Sequence, residues 1–162
     1  MGSHQMRLGR IALALAIVVV AGGAGAQPLS ETAKRVVGAW RLVGTSSDGK
    51  INPERGANPT GIIFYHENGH MAVQIQPDRA RPKWKARRPT PEEARETLFG
   101  YTAYFGTYSI DEKAQTITHV RTGGIEPGPL PDFVRCYEFT PEGRLILRPV
   151  ESKNELVWER IK

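Results

Sequence analysis

Cysteine is almost absent from this chain: Cys136 stands alone, so no disulfide forms within it and stability has to come from an apolar core. Long apolar runs are missing too, since the one stretch at residues 11–20 is too short to span a bilayer. The Ser-His-Asp order of a hydrolase, paired inward carboxylates, a phosphate-cradling glycine loop and a metal-ligand motif do not occur. Broad positive charge is missing as well. Six cationic residues are gathered in one run (Arg79, Arg81, Lys83, Lys85, Arg87 and Arg88), and outside that run the domain is slightly acidic. That distribution argues against a nucleic-acid face.

The first segment reads as processing signals. Residues 1–5, MGSHQ, look like an expression scar ahead of Met6. A secretory leader follows, with Arg7 and Arg10, the apolar run, and the small-residue site Ala24-Gly25-Ala26. Cleavage is expected before Gln27, which assigns residues 1–26 to scar and leader and residues 27–162 to one domain. Taking 26 residues from 162 leaves 136, a length suited to a single core. Without Arg7 and Arg10 the 22 basic residues become 20 against 17 acidic, a net charge of +3. The expected location is the periplasm or the exterior, with an uncleaved leader acting as an anchor as the alternative.

After the leader, strand signals recur. Ser30 caps a short helix ahead of GAWRLVGT, and residues 46–60 form a loop rich in Gly, Pro, Asn and Asp. GIIFY and HMAVQIQ flank His66-Glu67-Asn68-Gly69, a hairpin turn that pairs Tyr65 with Met71 and Ile63 with Val73. Residues 77–100 interrupt the strands. Their second half predicts a helix with Thr90 as cap, Pro91 in the first turn, Glu93 completing a capping box and Gly100 as terminator. Leu98 and Phe99 of this helix are candidates to lid a cavity. Residues 100–122 then form a second hairpin, and Thr140-Pro141-Glu142-Gly143 turns a third, pairing Phe139 with Leu145 and Tyr137 with Leu147. A last strand covers residues 156–161. Eight strands joined in sequential hairpins predict an all-β, antiparallel up-and-down barrel with one helical insertion between strands 3 and 4.

The register places a polar row inside. Pairing Tyr108 with His119 puts Tyr104, Tyr108, His119 and Arg121 on the inner face, and the next strand contributes Arg135 and Tyr137. The strands' own acidic residues, such as Glu138 and Glu159, alternate outward. An interior arginine without a carboxylate is completed by an anionic or carbonyl-bearing ligand. The alternative is an Arg135 solvated at the rim, with His119 and the tyrosines satisfying one another. His66 and His70 face each other across their turn but lack a third ligand, so no metal and no cofactor are expected.

The segments GAW (Gly38 to Trp40), GIIFYHENGHMAVQI, GYTAYFGTYSID, TITHV and the closing LVWERI resemble, in that order, the bacterial and fungal lipocalin-like domain proteins of the calycin group. The resemblance covers residues 37–161. It implies an eight-stranded barrel around a central cavity, an arginine (Arg160) packed over Trp40 at the barrel base, and binding of a small hydrophobic or amphipathic molecule. Some members catalyse cyclisations or isomerisations. An enzyme of that kind would here use His119 as acid or base, and a filled core would instead make the protein a structural or interaction module. The expected ligand-binding set is Tyr65, Tyr104, Tyr108, His119, Arg121, Arg135, Tyr137 and Trp158. A monomer is expected, with weak contact of residues 79–88 to an anionic membrane surface set against the simpler reading of a solvated loop.

Overall fold

The computed structural model describes residues 28–81 and 83–162. The expected leader and its cleavage site lie outside the described residues.

A short helix α1 (Glu31–Val36) precedes strand β1 (Gly38–Ser47), followed by β2 (Thr60–Tyr65) and β3 (His70–Gln76). Helix α2 (Pro91–Leu98) leads to β4 (Thr102–Asp111), β5 (Thr116–Gly124), β6 (Phe133–Phe139), β7 (Leu145–Pro149) and β8 (Asn154–Arg160). Each strand pairs antiparallel with the next, and β8 returns to β1, so the sheet closes into an eight-stranded up-and-down barrel without exposed edges. The three hairpin registers hold as the turn chemistry predicts: Tyr65 opposite Met71, Tyr108 opposite His119, and Tyr137 opposite Leu147. The first and third turns close through Gly69 and Gly143, both at positive φ, where a side chain would be strained.

Alternation then sorts the side chains. Trp40, Leu42, Ile63, Tyr65, Met71, Val73, Ile75, Tyr104, Ile117, Leu145, Leu147 and Trp158 form the buried core, with Val36 of α1 closing it from below. Trp40 Nε1 donates to the Val36 carbonyl at 2.8 Å, and the Arg160 guanidinium lies 4.3 Å from the Trp40 ring. Arg160 also donates to the carbonyls of Val37 and Arg35, tying the closing strand to the helix that precedes the first strand.

The two ends of the barrel differ. The tight turns at 66–69, 112–115 and 140–143 gather with α1 at one end, while the connections 48–59, 77–101, 125–132 and 150–153 gather at the other. Long connections therefore build an open rim over a base sealed by short ones.

At that rim the 77–100 insertion folds onto its own helix. Thr90 and Glu93 make the reciprocal capping box. Arg79 pairs with Glu96 at 3.0 Å, Arg81 donates to the Thr97 carbonyl at 3.1 Å, and Trp84 Nε1 donates to Thr97 Oγ1 at 3.0 Å. Leu98 and Phe99 are half exposed and line no part of the rim cavity, so the expected lid is not formed by them. Phe99 instead carries the Arg79 guanidinium on its ring, and Gly100 and Tyr101 are the residues that reach the cavity.

Candidate ligand-binding site

A cavity of about 320 Å³ opens at the rim. Its floor is set by the inward alternation of β4, β5 and β6, which delivers Tyr104, Arg121, Phe133 and Arg135, and by Leu156 of β8. A bulge between Phe105 and Gly106 shifts the β4–β5 register by one residue, setting Gly106 against Arg121 and Tyr104 against Gly124. Gly106 is required there because a Cβ would collide with the Val120 carbonyl. Below lies a second chamber of about 20 Å³, sharing Arg55, Thr102, Tyr104, Arg135 and Leu156 with the first and reaching down to His119 and Trp158.

Arginines dominate the electrostatics. Arg121, buried on β5, donates to the Pro131 carbonyl at 2.8 Å and pairs with Glu126 at 3.1 Å, both from the 125–132 connection. Its guanidinium also stacks 3.7 Å from the Phe133 centroid, while Arg135 approaches the same ring at 5.0 Å. Arg55 reaches in from the 48–59 loop and donates to Thr102 Oγ1 at 2.9 Å. Burial first, and then the neighbouring Arg135, lower the Arg55 pKa, with Glu54 nearby working the other way. Neither Arg55 nor Arg135 forms an ion pair among the described residues.

His119 is sealed beneath this charge. Its Nε2 meets the Tyr65 hydroxyl at 2.7 Å and its Nδ1 meets the Tyr104 hydroxyl at 2.8 Å. Burial, reinforced by Arg135, pushes its pKa down to about 3, so the ring is neutral at physiological pH. A neutral imidazole donates at one nitrogen and accepts at the other, so one tyrosine gives its proton to the ring and the other receives one. Burial holds Tyr65 well above its ordinary range and raises Tyr104 against the opposing pull of Arg135, so both hydroxyls stay protonated.

The structure thus brings Tyr104, Arg121 and Arg135 to the main cavity, and His119 and Trp158 to the chamber below. Tyr65 stands behind His119 and lines neither space. Tyr108 packs edge-on against Tyr65 at 4.9 Å and donates to the His66 carbonyl at 3.0 Å, near the closed end. Tyr137 sits beside Phe139 at that same end. The loops add what alternation along strands does not reveal. Arg55 is a cavity residue, Glu54 and Glu126 bring carboxylates to the rim from loops, and Glu155, at the start of β8, lines the cavity too, against the expectation that the strands leave it without any carboxylate. Glu138 and Glu159 do face outward, pairing with Arg148 and Arg41. No trio of His, Cys, Asp or Glu placed to hold a metal occurs among the described residues.

This barrel, with its Gly38-Ala39-Trp40 entry and Arg160 closure, matches the profile described as Lipocalin-like domain across residues 37–161. The chain belongs to the lipocalin-like domain family. A search of curated proteins found no match to it. In this lipocalin-like protein the tight turns and α1 close one end of the barrel, and the rim cavity lies at the other.

Proposed function

We propose that this lipocalin-like protein is exported and binds a small amphipathic molecule, bearing an anionic or carbonyl head group, in the rim cavity. The observation that carries this reading is the pair Arg55 and Arg135, both lining the cavity and neither ion-paired among the described residues. Two guanidiniums sharing one partly buried space repel each other, and a ligand acceptor between them relieves that repulsion. The cavity volume of about 320 Å³ falls at the small end of ligand pockets and favours binding over a filled, purely structural core. Export is supported by Arg7, Arg10, the apolar run and the small residues before Gln27.

An isomerase or cyclase working in the same cavity would not use His119 directly, because both ring nitrogens are occupied by tyrosines. Tyr104 is the hydroxyl that reaches ligand, as a donor to a carbonyl, with His119 positioning it.

Native mass spectrometry of the protein recovered from its export compartment tests the binding reading. A co-purified small molecule, lost in Arg55→Gln and Arg135→Gln variants that remain folded, is the expected result. Retention of the same molecule in both variants would remove the arginines from the site.

A further inference from the structure

Five buried side-chain polar atoms lack a hydrogen-bond partner among the described residues, and three of them belong to residues lining the rim cavity or the chamber beneath it: Thr45 Oγ1, Arg55 Nη1 and Trp158 Nε1. Trp158 is wholly buried. The other two tryptophans are satisfied, Trp40 by the Val36 carbonyl and Trp84 by Thr97. A buried indole N–H without an acceptor is destabilising, so its persistence calls for an explanation.

The inner chamber is where Trp158 and Arg55 come together, and its remaining walls decide what it can hold. Ile63, Val73, Ile75, Leu147 and Leu156 are apolar. Thr102 Oγ1 already accepts from Arg55 Nη2, and the two nitrogens of His119 are taken by Tyr65 and Tyr104. The chamber is therefore lined by Trp158 and by Arg55 and Arg135, with the hydroxyl residues Thr102 and Tyr104 beside them, and no carboxylate lines it. Its volume of about 20 Å³ suits a single oxygen atom. An anionic oxygen brings lone pairs and a charge that the two guanidiniums lining the chamber complement, whereas a hydroxyl brings no charge to offset them.

We propose that the inner chamber is a carboxylate-oxygen site: the ligand is a compact carboxylic acid that enters head first, one oxygen between Trp158 Nε1 and Arg55 Nη1, its body in the rim cavity. This rests on the binding reading above and narrows it to an acid. The second carboxylate oxygen falls at the junction of the two spaces, where Arg135 and Tyr104 stand. The body is small and mixed in polarity, because the rim places Ile125, Leu130 and Phe133 beside Asn52 and Asn154.

Matched acid and alcohol pairs test it: benzoate with benzyl alcohol, 4-hydroxybenzoate with 4-hydroxybenzyl alcohol, and octanoate with octanol. Each is titrated into the full chain, with calorimetry for affinity and ¹H–¹⁵N spectra for the three indole signals. At least one acid is expected to bind about tenfold or more tightly than its alcohol, as charge-assisted hydrogen bonds imply. That acid should shift the Trp158 indole signal and leave those of Trp40 and Trp84 in place. Arg55→Gln, a change on a loop, should remove the acid preference without unfolding the barrel. Trp158→Phe should weaken the acid while sparing the alcohol. Equal binding of acid and alcohol, with the Trp158 signal unmoved, overturns the carboxylate site and leaves the binding reading standing. Failure of all six probes to bind overturns both.

Discussion

The Tyr104 hydroxyl lies 2.8 Å from Nδ1 of His119, joining a cavity-lining phenol to an imidazole that is wholly cut off from solvent. Tyr65 completes the connection on the far side at 2.7 Å. The position of the Tyr104 oxygen is therefore set by a buried network and not by its own rotamer alone. A proton on His119 would make both ring nitrogens donors, so the phenol that had given its hydrogen to the ring would have to accept from it and turn its own O–H elsewhere in the buried interior.

Acid should destabilise the protein through this residue. Folded His119 gains its proton near pH 3, while in the unfolded chain it does so near the ordinary value of 6.5. Between those values the unfolded chain binds more protons, so stability is fully present above pH 6.5 and falls as pH falls. The slope from this one group approaches about 1.4 kcal/mol per pH unit. Urea unfolding of wild type and His119→Gln from pH 7 to pH 4 should show the variant with the shallower dependence. Parallel curves would mean that His119 is not a buried neutral ring.

Tyr65 and Tyr104 should separate in function. Tyr65→Phe leaves His119 Nε2 without a partner in the core, and about 1–3 kcal/mol of stability is expected to go with it. Ligand affinity should change little, because Tyr65 lines neither space. Tyr104→Phe should lose affinity as well, since its hydroxyl stands at the junction of both. Equal affinity losses in the two variants would place Tyr65 in contact with ligand, against the geometry.

The barrel base offers a test of closure. Gly38 sits at φ +138°, and a Cβ there would collide with Arg160 Nη1, which is occupied by the Val37 carbonyl at 2.7 Å. Gly38→Ala should cost about 1–3 kcal/mol from the strained backbone and the displaced guanidinium. Arg160→Ala should also destabilise, by losing its stack on Trp40 and its hydrogen bonds. In the double variant the two costs should sum to less than the separate values, because the collision has gone. Strict additivity in urea titrations would show that Gly38 and Arg160 act independently.

The hairpins were legible in the chain because their determinants are local. Asn68-Gly69 and Glu142-Gly143 supply the φ > 0 position that a tight turn needs, and a period of two then assigns every following side chain to a face. The inward placement of Tyr104, His119, Arg121 and Arg135 follows from that alternation alone. So does the outward placement of Glu138 and Glu159, which the pairs with Arg148 and Arg41 bear out.

The depth of each inward residue was not legible. Tyr108 and Tyr137 share a face with Tyr104 and Arg135, yet they serve the closed end, because depth depends on strand tilt and on which turns gather at which rim. Arg55 and Glu126 lie in loops, where no periodicity reports direction, and their approach to Arg135 and Arg121 is made only when strands distant in sequence close the barrel. The sequence by itself determined the eight strands, the registers beside their three tight turns and the inward polar row, since turn geometry and a two-residue repeat act over short range, whereas the bulge between Phe105 and Gly106 was not read from it. Only the tertiary structure decided which arginine is neutralised and which stays without an ion pair, since a carboxylate's distance across a closed barrel is set by loops whose path no local rule prescribes.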